Sequence, residues 1–399
     1  MRPSTSSAHP HGVPLLTQPF HPLVSRHASP SQPRSASSTR ERLSVTKVLP
    51  GASRLNNFDA LRLLAAFAVV ISHSFAIAGD PQPTVGAMDA GTIGVVVFFG
   101  ISGFLITQSW MTDSRLSRFA AKRALRIMPA LVVVLLLTTL ILGPLVSSLN
   151  PAEYFRQTDT WAYLLSNAAM MTTHELPGVF PDLPYPRQVN AVLWTLQVEV
   201  LAYIGVAVIG LVGGLKTKWV PPLITAILII APHGLVPWTS SLFMLQAFGV
   251  GASLYVLREY VPWHPGLVVV GLIAWAVAPD GIQLLLAVGV IPYAAIFIAY
   301  RGPATLRKLT ARGDFSYGVY LIGWPVGQIV ALLWGSSVTT TLVIAVSLPI
   351  TYVLAMASWT YVEKPALALK RHLGGRREEA RVAVGTDHVV PVHQAEFGT

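Results

Sequence analysis

Ten apolar stretches, most of them long enough to cross a bilayer as a helix, occupy the chain between residues 58 and 361. They lie near 58–78, 91–110, 127–147, 192–213, 219–236, 239–257, 265–279, 282–300, 315–335 and 339–361, with the shorter ones within 219–279. A helix of about twenty residues, rising 1.5 Å each, spans a hydrocarbon core of about 30 Å. The composition agrees. Of 399 residues, 53% are hydrophobic and 12% charged, where a soluble domain carries about 25% charged residues. The expected fold is an all-α polytopic membrane protein with about ten transmembrane helices. No internal repeat is evident, which disfavours inverted-repeat transporter folds.

Residues 1–54 are rich in Ser, Pro, His and Arg and poor in large apolar side chains. Such a segment cannot bury a core, and a disordered cytoplasmic tail is expected. It lacks an apolar run of signal-peptide length. Its histidines, His9, His11, His21 and His27, are not paired at a helical metal-binding spacing, so no metal site is assigned. The chain has no cysteine, which removes disulfides and thiolate metal sites. A membrane domain follows over 55–370, then a cytoplasmic tail over 371–399.

A net charge of +10 would suit a nucleic-acid partner, but its distribution argues otherwise. One set of connections holds Arg115, Arg118, Lys122, Arg123 and Arg126, then Lys216 and Lys218, Arg258, and Arg301, Arg307, Lys308 and Arg312, with a basic tail from Lys364. The opposite set holds only Arg156 and Arg187. The positive-inside rule places both termini in the cytoplasm and leaves no role for nucleic acid. The long outer loop over 148–190 carries Glu153, Asp159, Glu175 and Asp182 among aromatics such as Tyr154, Trp161 and Tyr185. Long loops of this kind are often functional. It suits contact with an external sugar or a structural cap over the bundle.

The first stretch, FDALRLLAAFAVVISHSFAIA, carries Asp59, Arg62 and His73 within its apolar length. Ionisable groups inside a membrane helix are costly and usually face a polar interior site. Arg62 and His73 are eleven residues apart, so they share one helix face about 16 Å apart in height. Counting inward from the span ends puts His73 roughly 8 Å, and Glu199 of VLWTLQVEVLAYI roughly 10 Å, below the outer surface. At one level, that carboxylate would hold the imidazole in one tautomer and stabilise its cation. The bland alternative is a structural ion pair. Near the cytoplasmic face, Arg123 and Arg126 share a helix side with a spacing of three. Their guanidinium forks suit phosphate, although topology alone also places arginines there. Ser102 and Gly103, mid-way along the second stretch, read as helix packing. No strand–turn–helix elbow surrounds Ser102 to support a nucleophile.

These residues resemble the acyltransferase-3 family of integral membrane O-acyltransferases, of the type that O-acetylates polysaccharides. The resemblance covers about residues 55–370. It rests on Arg62 and His73, on FFGISGFLI at 98–106, RALRIMPA at 123–130, WTLQVEVLAY at 194–203, FSYGVYLIGWPV at 315–326 and VEKPA at 362–366. The resemblance implies ten core helices, an acyl-coenzyme A donor, an essential His73 with Arg62 as its motif partner, and Arg123 and Arg126 holding the donor. Two positions depart from the family pattern. Val96 stands where many members carry Asp before the paired phenylalanines, and Gly323 where many carry His. No fused extracytoplasmic hydrolase-like domain is read after residue 370, so a stand-alone transferase is expected, in a bacterial cytoplasmic membrane.

The expected reaction is transfer of an acyl group, acetyl by the resemblance, from acyl-CoA to a hydroxyl of an exported or cell-surface carbohydrate or glycolipid. His73 serves as general base, Glu199 and Arg62 as its catalytic companions, and Arg123 and Arg126 as donor ligands, with no metal. The expected partners are the lipid bilayer, the acceptor and polysaccharide-synthesis proteins. The alternatives are a transporter or flippase, using Arg62, His73 and Glu199 as a proton or anion path, or a structural subunit of an export complex.

Overall fold

The computed structural model describes residues 56–231 and 239–370. The tails expected over 1–54 and 371–399 lie outside the described residues. The bundle opens with α1 (Phe58–Ala78), and a two-stranded antiparallel hairpin, β1 (Thr84–Val85) and β2 (Met88–Asp89), leads into α2 (Ala90–Thr112). α3 (Leu116–Leu137) continues through a π-type turn at Thr138–Leu142 into α4 (Gly143–Val146). Two short helices, α5 (Pro151–Arg156) and α6 (Thr158–Ala168), precede an irregular segment that ends at α7 (Trp194–Leu211). Next come α8 (Val220–Ile230), α9 (Thr239–Val256), α10 (Pro265–Val277) and α11 (Asp280–Arg301). The chain then runs through α12 (Ser316–Trp334) and α13 (Thr340–Ser358), a second π-type turn at Trp359–Glu363, and α14 (Lys364–Ala368).

Among the described residues, seven helical stretches are long and apolar enough to cross a membrane, and α8, α9 and α10 are apolar but shorter. The ten apolar stretches of the sequence therefore each carry a helix, and the protein is an all-α polytopic membrane protein. The main shift is in α3, which begins at Leu116 rather than near residue 127. Arg118, Lys122, Arg123 and Arg126 thus ride on its first turns instead of in a loop. The outward faces are apolar. On α7, Leu201, Ile204, Val208 and Leu211 follow a spacing of three and four and are all exposed, which suits a face set against lipid rather than water.

α1 packs against α2, α12 and α13. Small residues set the spacing. A Cβ on Gly94 of α2 would lie 2.7 Å from the Ala65 carbonyl oxygen, and one on Gly103 would run into the Phe248 carbonyl of α9. Close backbone approach of this kind supplies the dispersion contacts that hold helices together where lipid gives no hydrophobic drive.

The segment from 171 to 193 turns inward. Asn190 Nδ2 donates to the Leu321 carbonyl at 2.9 Å, and Gln328 Nε2 donates to the carbonyls of Tyr185 and Gln188 at 2.8 and 2.9 Å. Phe180, Val189, Val192 and Leu193 are buried. The path uses left-handed backbone at three non-glycine residues, Met170, Phe180 and Arg187, a costly conformation that tight surroundings must hold in place. As a result α7 does not start at the bundle's rim. Its first turn lies at the depth of Tyr320, whose hydroxyl is 2.7 Å from that of Thr195.

Candidate active site

His73 lies on α1, three turns beyond Arg62. Its ring stands edge-on to Trp324 of α12, with centroids 4.9 Å apart. Trp324 is itself fixed, because Nε1 donates to the Gln188 carbonyl at 2.9 Å and the indole meets Tyr185 edge-on at 4.9 Å. The inward segment thus builds the wall beside the imidazole.

The carboxylate whose charge acts on His73 is Asp89. The β1–β2 hairpin delivers it: Ala87 N–H donates to Gln283 Oε1 at 2.7 Å, Met88 is buried, and Asp89 then caps α2. Asp89 accepts from Thr92 N–H at 2.9 Å, from Thr92 Oγ1 at 2.6 Å, and from Ser72 Oγ, next to His73 in sequence, at 3.0 Å. Burial opposes its charge, but these bonds, with one from the Gly91 backbone, outweigh it and hold the carboxyl below the usual carboxylate range. Sequence reasoning missed Asp89. The available signal was an Asp immediately before an apolar run, which is an N-cap signature.

Glu199 is elsewhere. It accepts from Ser102 Oγ at 3.2 Å and from the Tyr203 hydroxyl, and it faces a cavity of about 400 Å³ with Arg62, Arg123 and Arg126. Its expected place beside His73 assumed that its span begins at the membrane surface. The inward segment lowers the start of α7, and Glu199 falls to the level of Arg62. Ser102, read as a packing residue, lines this cavity, while its neighbour Gly103 makes the close contact with α9. Along α2 the cavity wall runs from Val95 to Ile106, a height of about 16 Å. Gly94, one residue beyond Val95, packs against Val69, and Gly91 packs against Ser72. The cavity therefore ends about one helical turn short of His73.

The charges in the cavity are not alike. Arg126 is paired with Asp314, and its other nitrogen lies 3.7 Å from Glu363. Asp314 is fixed in turn by Ser316 N–H at 3.2 Å. Burial opposes the Asp314 charge, but the guanidiniums of Arg126 and Arg62 and the bonds to Ser316 hold its carboxyl below the usual range. The π-type turn after α13 brings Glu363 to Arg126, and extra-residue turns of this kind recur at functional sites. Arg62 lies 3.7 Å from Asp59. Arg123 touches the rings of Phe119 and Tyr203, at 5.9 and 6.0 Å. Lys370, which sequence reasoning also missed, lines the same cavity. Among the described residues, no group of three or more His, Asp or Glu side chains is placed to hold a metal ion.

The model of an acyltransferase domain, that of the acyltransferase-3 family, matches residues 55–360. The chain belongs to the acyltransferase-3 family. It is 31% identical over 337 residues to an O-acetyl transferase of Shigella phage Sf6, covering 77% of this chain and 95% of the relative. It is also 31% identical over 368 residues to Nodulation protein 10 of Rhizobium leguminosarum bv. viciae, covering 81% and 96%. No solved structure matches the chain. As an acyltransferase-3 protein the chain is a multi-pass membrane acyltransferase, and its two departures can be placed. Val96 is fully buried. Gly323 lies against Val70, one turn below His73, so a side chain there would displace that valine.

Proposed function

We propose that the protein transfers an acetyl group from acetyl-CoA to a hydroxyl of an exported carbohydrate or glycolipid, across two levels of one site. The observation that carries this reading is the arrangement along α1: a cation-lined cavity about 16 Å tall, with His73, Asp89 and Trp324 just beyond its upper end. Coenzyme A is a polyanionic nucleotide with a long, slender arm. Its phosphates suit the arginines and its arm suits the cavity, which leaves the thioester near His73.

In this reading the acceptor oxygen attacks the thioester carbonyl while His73 removes its proton. The C–S bond breaks, and the departing thiolate of coenzyme A recovers the proton from the imidazolium. Both ring nitrogens of His73 are without a hydrogen-bond partner among the described residues, so one is free to meet the acceptor. Asp89 stabilises the imidazolium formed on the way, the task expected of Glu199. Glu199 and Arg62 instead shape the donor cavity. The relative named as an O-acetyl transferase supports acetyl as the group transferred.

The lysine and arginine bias of the connections supports an orientation with both termini inside, for a membrane domain over 55–370 in a bacterial cytoplasmic membrane. The donor then enters from the cytoplasm, and the acceptor meets His73 from the outer side. The test is transfer of radiolabelled acetyl from acetyl-CoA to bacterial polysaccharide by the purified protein in vesicles. Label on a carbohydrate hydroxyl supports the reading. A protein that moves glycan across the vesicle without forming an ester contradicts it.

A further inference from the structure

Four side-chain cations line the inner cavity, Arg62, Arg123, Arg126 and Lys370. Two are already paired, Arg126 with Asp314 and Glu363, and Arg62 with Asp59. Arg123 and Lys370 make no ion pair among the described residues. The Nε of Arg123 is buried without a hydrogen-bond partner. Lys370 follows α14, which packs against α3, and its ammonium is within electrostatic reach of Arg123, Arg126 and Lys122. Burial, and then repulsion by those three charges, lowers its pKa to about 8. Arg123 is also within electrostatic reach of the Glu199 carboxylate, whereas the charges acting on Lys370 are all cationic, a repulsion that an incoming anion relieves.

Their heights differ. Lys370 stands two residues past the end of the last span, at Ala368. Arg123 is on the second turn of α3, about 10 Å in from its start. If the arm of coenzyme A runs toward His73, its adenosine end stays at the mouth and its pyrophosphate lies deeper.

Resting on the coenzyme A reading above, we propose that Lys370 reads the 3′-phosphate of the donor, beside Arg123, which the family resemblance already assigns to the donor. Arg126, expected from sequence to hold the donor, instead ties α3 to Asp314, just before α12, and to Glu363, in the π-type turn after α13.

The test compares acetyl-CoA with 3′-dephospho-acetyl-CoA in the full-length protein, in wild type, Lys370→Gln and Lys370→Arg. In wild type, loss of the 3′-phosphate should raise the donor KM about tenfold, as removal of a charge-assisted hydrogen bond does. Lys370→Gln should show a raised KM for acetyl-CoA and little further change with the dephospho donor. Lys370→Arg should keep most of the discrimination. The ratio between donors is internal to each preparation, so partial misfolding does not imitate the result. A Lys370→Gln protein with the wild-type ratio overturns this assignment alone. A wild type that uses neither donor overturns the coenzyme A reading and this assignment with it.

Discussion

The two ends of the site differ in how they manage charge. The inner cavity gathers four cations and three carboxylates from α1, α3, α7, the residues just before α12 and the chain after α14. The outer level has one imidazole, one capped carboxylate and a wall of aromatic rings. A polyanionic substrate needs many fixed charges, because each phosphate must replace its water. A proton transfer needs one titratable group and a single stabilising charge. In the proposed reading the two levels serve separate steps, as the sequence suggests, but Glu199, expected beside His73, stands at the inner one.

The largest effect that would sharpen this contrast is on folding. Arg126→Ala leaves Asp314 and Glu363 without their shared cation, and breaking such a partly buried pair should cost about 3 kcal/mol. Thermal unfolding in detergent should show this as a clear fall in Tm. Arg123→Ala, with no ion pair to lose, should unfold near the wild-type temperature. Equal Tm values for the two variants would erase the distinction between clamp and ligand.

The next effect separates the two carboxylates. Asp89→Asn keeps a good N-cap but removes the charge beside His73. It should lower kcat about tenfold and move the acid limb of the pH–rate profile to lower pH, because the imidazolium loses the charge that favours it. Glu199→Gln should change donor KM and leave that limb in place. A shifted limb in Glu199→Gln would return Glu199 to the side of His73.

The smallest effect is on donor affinity at high pH. Lys370 titrates near 8, lowered by burial and by its cationic neighbours. It is charged below that pH and neutral above it, so kcat/KM for the donor should fall a few-fold as pH rises through about 8. Lys370→Arg stays charged and should flatten this limb. A limb that persists in Lys370→Arg assigns the titration to another group.

Much of the fold was legible because its signal is local. An apolar run long enough to span reports itself, and the ten stretches each carry a helix. Arg62 stood out for the same reason, as a cation out of place on an apolar helix, whereas Arg123 and Arg126 stood out by their spacing of three near the cytoplasmic face. What could not be read depends on long-range placement. The level of Glu199 was misjudged because residues 171–193 fold into the bundle and lower α7, through bonds such as Asn190 to Leu321 that span 131 positions. Asp89 escaped notice because only the hairpin brings it to Ser72. The difference between Arg123 and Arg126 lies in partners 188 and more residues away.

The central claim, that donor binding and proton transfer occupy separate levels, is tested most directly by measuring both in His73→Ala and Arg123→Ala. Binding of labelled acetyl-CoA and transfer at saturating donor would be read on the same vesicles. His73→Ala should bind donor as wild type does and lose transfer by about 10²–10⁴-fold, the usual contribution of a positioned base. Arg123→Ala should bind weakly and recover transfer as donor is raised. Loss of binding and transfer together in His73→Ala, or sustained transfer by that variant, would contradict the claim.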